Sequence, residues 1–355
     1  MNAPFHPDAM TIRQADWNDA PDLARIAAFV RDHDQGTVFH LPLWMQAVER
    51  GTGQNAHGLI AESCGDVVGW LPLTELHSPI FGRALASSGF GVGGGALALR
   101  DTVALRLCRA SEEMARRLSC AAVELRGGVA PAEWRHRADS HCGFVTDLRD
   151  GSEDQLLAIP RKQRAEVRKG LEQDVCIQIG QDEGDRAAHY AVYAESVRNL
   201  GTPVFPRSLF DSVLDMFGQD ADILTVIHQG APVASVLSLY YKGVVLPYWG
   251  GGTWAARALR ANDRMYFELM RHAHARGCTR FDFGRSKTGS GAWHFKKNWG
   301  FTPEPLSYAH WQAPGVPERD ADPNRPRHAA RIALWKRLPL GIAKRIGPFI
   351  ARGLG

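Results

Sequence analysis

Apolar residues in this chain come in short runs introduced by glycine, with longer amphipathic stretches between them. Residues 65–73 (GDVVGWLPL) read as a turn entering an apolar strand, and residues 122–127 (AVELRG) as another strand. Between them lie the glycines at 91 and 93–95 and a helical stretch over 101–118. The second half repeats the order. Residues 230–239 are a turn and strand, 247–252 (PYWGGG) run into three glycines, 261–276 are helical, and 280–284 (RFDFG) form a strand. Gly93 lies 30 residues before Val123, and Gly250 lies 31 before Phe281. Four elements in one order at one spacing predict an internal repeat. The pattern therefore predicts two copies of one α/β unit, with a boundary near 150–160.

Length agrees, since 355 residues suit two domains or one large one. The longest stretch without a formal charge, 223–241, is broken by His228-Gln229-Gly230-Ala231-Pro232, which predicts two strands and a turn and not a membrane span. Residues 1–10 show no basic start followed by an apolar run, so no signal peptide is expected and the expected location is cytoplasmic. The six cysteines are scattered without a C-x-x-C pair, and His272 and His274 stand two apart on a helix, facing different ways. No metal site is expected. Cys120 and Cys278 each precede a strand, where they read as small buried hydrophobes.

The second half is the better specified copy. Residues 244–249 read as a strand, 253–260 as a loop, 262–276 as a helix, 279–283 as a strand, 291–301 as a short helix and 306–311 as a closing strand. This order, with the helix Ala292-x-x-Phe295-x-x-x-Trp299-Gly300-Phe301 near its end, resembles the acyltransferase domain of the GNAT superfamily. That resemblance implies an acyl donor entering where two neighbouring strands splay apart. One departure is plain: the Q/R-x-x-G-x-G/A loop that holds the coenzyme A pyrophosphate in typical members is replaced by Ala255-Ala256-Arg257-Ala258-Leu259-Arg260.

Longer strings sharpen the resemblance. They are 159–170 (IPRKQRAEVRKG), 196–206 (SVRNLGTPVFP), 247–252, 281–287 (FDFGRSK) and 295–301 (FKKNWGF). Together they look like the FemAB-like proteins associated with the exosortase/PEP-CTERM exopolysaccharide system, over nearly the whole chain. Their better understood relatives, the Fem peptidyltransferases, are built from two GNAT-like units. The implied fold is α/β: two tandem GNAT-like (acyl-CoA N-acyltransferase-like) units with mixed central sheets, over 10–150 and 151–313, and a basic amphipathic tail over 314–355. In the Fem enzymes the lysine after this phenylalanine is assigned to stabilising charge in acyl transfer; the resemblance carries that role to Lys296.

Other candidates come from the residues themselves. Pro160 suits the first turn of a helix, and Arg161, Arg164 and Arg168 then share one face. Cations in a first turn oppose the helix dipole, so the stripe is either an anion site, with Arg257 and Arg260 bordering the same cleft, or a solvated basic face. Asp282, Arg285, Ser286 and Lys287 follow a strand at its C-terminal end, where α/β sheets place ligands; a salt-bridged turn is the plainer alternative. Asp282 is the candidate general base. Tyr248 and Trp249 are adjacent and should face opposite ways, one into the core and one toward the pocket. The glycine runs 93–95 and 250–252 mark a bulge or a close backbone approach. No Ser-His-Asp or Cys-His arrangement is evident, which favours direct attack by an amine over a covalent acyl-enzyme.

Charge is unevenly spread. Residues 323–355 hold eight basic residues and no acidic ones, whereas the whole chain is only +4. Ile332, Leu334, Trp335, Leu338, Leu340, Ile342, Ile346, Phe349 and Ile350 are interleaved with them. Such a segment suits the inner face of an anionic membrane, packing on the protein's own body, or RNA, in that order. The expected function is an N-acyltransferase transferring an acyl or aminoacyl group to an amine on a saccharide or lipid-linked precursor of an exported polymer. No tightly bound cofactor is expected; the donor is acyl-CoA, acyl carrier protein or aminoacyl-tRNA, and RNA is a partner only in the last case. The rival expectation is a non-catalytic scaffold in an exopolysaccharide assembly complex.

Overall fold

The computed structural model describes residues 10–79, 81–316 and 329–355, with the side chains of 329–331 left out. The chain forms two compact units, each assembled from separate segments. The first takes the described residues of Met1–Ala138, Leu306–Asp322 and Ile350–Gly355; the second takes those of Asp139–Pro305 and Pro323–Phe349.

The first unit begins with β1 (Thr11–Gln14), α1 (Ala20–Asp32), α2 (Pro42–Thr52), β2 (Asn55–Ser63), β3 (Asp66–Ser78) and β4 (Gly82–Ser87). It continues with β5 (Leu97–Ala98), α3 (Asp101–Arg117), β6 (Ala122–Arg126) and β7 (Arg135–Arg137). The second unit holds β8 (His141–Gly143), β9 (Val145–Asp147), α4 (Ser152–Ala158), α5 (Arg161–Leu171), β10 (Cys176–Gly180), α6 (Glu183–Leu200) and α7 (Arg207–Phe217). Then come β11 (Ala221–His228), β12 (Ala231–Tyr241), β13 (Val244–Gly252), α8 (Ala261–Ala275), β14 (Arg280–Asp282), β15 (Ser286–Lys287), α9 (Gly291–Asn298) and β16 (Glu304–Pro305). The chain returns to the first unit as β17 (Tyr308–Gln312) and ends in α10 (Ala329–Arg337) and α11 (Leu340–Ala351).

The repeat is present as topology. The first sheet runs β1-β2-β3-β4-β6-β17-β7 and the second β10-β11-β12-β13-β14-β9. In each, three antiparallel pairings are followed by one parallel pairing, β4 with β6 and β13 with β14, and then an antiparallel strand. The expected closing strand is corrected by the structure. Residues 308–312 do not close the second unit; they lie between β6 and β7 of the first, and β9 closes the second. The units are therefore discontinuous, unlike the contiguous divisions expected. A short strand shows its alternation locally, but its hydrogen-bonding partner is chosen by the whole sheet.

Local signals explain the elements around the second sheet. Asp182 accepts from the Asp185 backbone N–H at 2.9 Å and Asp185 returns the bond at 3.1 Å, a capping box that starts α6. Gly201, with φ +87°, ends it in the left-handed region that favours glycine. Residues 233–240 of β12 are all buried. Cys120 and Cys278 are buried too. Below the second sheet, Phe281 is fully buried with ring centroids 5.1 Å from Phe283 and 6.0 Å from Phe301. Phe281→Ala is expected to lower stability by about 3–5 kcal/mol in urea unfolding, because the aromatic cluster cannot collapse onto the void. A loss under about 1 kcal/mol would mean the neighbouring rings refill the space.

Candidate active site

β13 and β14 share two rungs, Val244 with Arg280 and Val245 with Phe281. β13 then runs on to Gly252 while the shorter β14 stops at Asp282. Pairing with β12 also skips a residue: Leu237 faces Trp249 and Ser238 faces Pro247, leaving Tyr248 as the extra residue of a bulge. Trp249 is buried against Phe210 at 4.8 Å, and the half-buried Tyr248 packs edge-on to it at 4.7 Å. Beyond the bulge the glycine run lines a cleft of about 310 Å³.

The glycines are what let the walls close in. A Cβ on Gly251 would fall 2.3 Å from Ser196 Oγ on α6, and one on Gly252 would fall 2.6 Å from Asn262 Oδ1 on α8. Asn262 Oδ1 is buried without a hydrogen-bond partner among the described residues. Asn199, Tyr266, Phe295, Trp254 and Arg257 also line the cleft. The Arg257 guanidinium lies 4.2 Å from the ring centroid of the exposed Trp254, whose backbone N–H donates to Glu195 Oε1 at 2.9 Å. On β12, whose Ser235 is in register with Gly251, Ser235 Oγ lies 3.0 Å from His189 Nδ1. Burial drives the His189 imidazolium pKa down to about 3, so this ring is neutral.

In the first unit the corresponding glycines do something else. A Cβ on Gly95 would sit 1.9 Å from the Gly127 carbonyl oxygen, so there the backbone itself comes up against backbone. The same sequence feature thus serves a cleft in one unit and a close chain approach in the other.

The arginine stripe is placed on α5, whose buried face is Gln163, Val167 and Gly170. Arg161 and Arg168 are exposed. Arg164 donates to the carbonyls of Leu157 at 2.8 Å and Ile159 at 3.1 Å, at the C-terminus of α4. The cation that opposes the dipole of α5 thereby complements that of α4. Arg260 pairs with Glu166 of α5 at 2.5 Å and donates to the Arg257 carbonyl at 2.7 Å. Arg257 therefore reaches the cleft, while Arg260 links its rim to α5.

Lys296 is only 8% exposed, and its Nζ donates to the carbonyls of Arg285 at 3.0 Å and Gly284 at 3.2 Å. Burial lowers its pKa to about 8, against the opposing pull of Asp282. Asp282 Oδ1 accepts the Gly284 N–H at 2.8 Å, and burial raises its pKa. The two side chains thus both hold the turn 282–285, and neither lines the cleft. Ser286 is buried and Lys287 exposed, both in the small sheet β15-β8-β16. Arg285, Ser286, Lys287 and Tyr248 are likewise absent from the cleft lining.

Sequence reasoning assigned no role to Ser196, Asn262, Tyr266 or Asp263. The string 196–206 was the available signal for the first. Asp263, in the first turn of α8, accepts from Gln163 Nε2 at 2.5 Å. Burial, aided by Glu166, pushes its pKa up to about 6 against the opposing pull of Gln163 and Arg260. A carboxyl whose folded pKa is raised binds its proton more tightly when folded, so it costs stability as pH climbs through about 4 to 6. Asp263→Asn should remove that slope and raise stability at pH 7.5 by up to about 3 kcal/mol, read from urea midpoints at pH 4.5 and 7.5. An unchanged slope would mean the carboxyl titrates normally.

No curated protein matches the chain. Residues 161–297, from the first residue of α5 into α9, match the acetyltransferase (GNAT) domain family. Among solved structures, FemX is 15% identical with a TM-score of 0.63, over 81% of this chain and 95% of that one. A tandem GNAT protein from the clavulanic acid biosynthesis pathway is 11% identical with a TM-score of 0.56, over 87% and 99%. The N-myristoyltransferase of Saccharomyces cerevisiae, solved with bound myristoyl-CoA, is 11% identical with a TM-score of 0.53, over 87% and 80%. At these identities the likeness is one of fold, and with the repeated topology it establishes the architecture as two tandem GNAT-like α/β units.

Proposed function

We propose that the protein is an N-acyltransferase of the FemAB/GNAT type, transferring an acyl or aminoacyl group to an amine on a saccharide or lipid-linked precursor of an exopolysaccharide or cell-envelope polymer. The observation that carries this reading is the open cleft along Gly250–Gly252, where β13 outruns β14. A slot filled by the protein's own side chains would have favoured the scaffold. The donor is an acyl-CoA, an acyl carrier protein or an aminoacyl-tRNA; the myristoyl-CoA bound to one structural neighbour supports the first.

The chemistry follows from what an amide-forming step requires. The acceptor amine attacks the acyl carbon, the C–S or C–O bond to the donor breaks, the departing thiolate or alkoxide takes up a proton from a protein hydroxyl, and the proton that the amine loses restores that hydroxyl. Negative charge builds on the carbonyl oxygen, and main-chain amides along the glycine run are the donors this reading assigns to it. Tyr266 supplies the leaving group's proton. A Cβ on Gly250 would lie 3.1 Å from its hydroxyl, and burial together with Asp263 keeps the phenol protonated by raising its pKa. Arg257 at the rim faces the anionic part of the donor. Lys296 and Asp282 act as positioning residues that hold the turn 282–285, in place of the charge-stabilising role that the family resemblance implies for Lys296 and the general-base role expected of Asp282.

Mass spectrometry of the exported polymer from a strain lacking the gene would identify the missing acyl group. With that substrate, Tyr266→Phe is expected to lower kcat by about 10²–10³ with an unchanged melting temperature. Lys296→Ala should lower kcat and melting temperature together, since it leaves the Gly284 and Arg285 carbonyls without their donor. Full-rate turnover by Tyr266→Phe would remove the proton-donor role, and near-wild-type turnover by Lys296→Ala would remove any catalytic consequence of the turn.

A further inference from the structure

The acyl-transfer reading makes no use of α11, although its surface is unusual. Ala343 is 2% exposed, a Cβ on Gly347 would lie 3.0 Å from Val204 Cγ1, and Lys344 Nζ lies 5.5 Å from the Tyr190 ring centroid. These residues fix the inward face of the helix. Ile342, Ile346 and Phe349 follow at spacings of four and three, on the other side. They are 48%, 40% and 65% exposed. A soluble helix normally buries such a stripe and leaves its polar face outside; here the small residues go in and the large apolar ones go out.

The adjoining helix extends the pattern. α10 is held to α6, with the Lys336 carbonyl accepting from Arg198 at 3.2 Å, and it leaves Leu334 65% exposed. Lys336, Arg337 and Arg345 are exposed alongside. Residues 332–349 contain no acidic residue. The expected order of alternatives for this segment is thus modified: it packs on the protein through its small residues and still presents an apolar and basic surface. The basic residues Arg325 and Arg327, and the side chain of Arg331, lie outside the described residues.

We infer that the outward faces of α10 and α11 form a docking surface for an anionic lipid bilayer. Apolar side chains at the centre suit the acyl boundary, and a rim of lysine and arginine without carboxylates suits lipid phosphates. The charge pattern selects this occupant over a second copy of the chain, because two such rims facing each other would repel. No helix among the described residues is long and apolar enough to cross a membrane, so the contact is with the surface. This inference does not depend on the reaction assigned to the cleft.

The test is co-sedimentation of the full chain with vesicles of phosphatidylcholine alone or with about one third phosphatidylglycerol. Two variants accompany it, I342S/I346S/F349S and K336Q/R337Q/R345Q, each checked for an unchanged melting temperature and for mass by sedimentation velocity. The expected result is binding to the anionic vesicles only, weakened at least about tenfold by either variant and by raised salt. Wild-type protein remaining in the supernatant, or both variants binding as well as wild type, would overturn the inference. A dimer that the serine variant converts to monomer, without vesicle binding by either, would overturn it in favour of self-association. If the serine variant fails to fold, the glutamine variant and the salt series decide the question alone.

Discussion

The second unit is organised around the point where β13 parts from β14. A parallel pair needs a crossover of a dozen or more residues, supplied here by the segment through α8, and only two rungs hold it together. Past Val245, β13 is supported by β12 along one edge, and its glycine backbone is met by side chains from α6 and α8. That arrangement works because three successive residues carry no Cβ. A methyl group at Gly251 or Gly252 would displace the polar atoms of Ser196 or Asn262. The cleft is thus a consequence of sheet geometry, and its polar lining follows from which helices can approach bare backbone.

Around that cleft, buried charge serves mainly to hold shape. Lys296 binds two carbonyls of a turn that Asp282 also caps, and the opposite directions in which burial moves their pKa values show both ions in a poorly solvated place. An ammonium tied to main-chain oxygens keeps the 282–285 turn in one conformation beneath α9, which delivers Phe295 to the cleft wall. The carboxyl of Asp263 plays a similar part at the start of α8, next to Asn262. The cleft itself is lined by glycine backbone, amide, hydroxyl and aromatic groups with Arg257, while Lys296 and Asp282 lie outside the lining.

The two units share a topology and use it differently. The first presses Gly95 against Gly127, and Arg126 reaches the carbonyl of Gly355. The second keeps about 310 Å³ open beside its glycine run. The topology is one plan used twice, and the residues flanking each glycine run decide whether the parting of the strands leaves a cavity.

By itself the sequence determined the repeated run of turn, strand, glycines, helix and strand in each half, and the importance of the glycine runs. These are readable because alternation, capping and turn chemistry act over a few residues. The bulge at Tyr248 was half legible: the glycines announced an irregular strand, but the extra residue is visible only against the register of β12. What tertiary structure alone decided is partnership. β17 and β9 each joined the sheet where an edge was available, and Arg164 of α5 found the end of α4 while Arg161 and Arg168 stayed exposed. Ser196 of α6 came together with Asn262 and Tyr266 of α8, a convergence that no local pattern announces. Local patterns set each element's period and ends, whereas pairing and convergence depend on contacts between residues far apart in the chain, and those become definite only when the sheet closes.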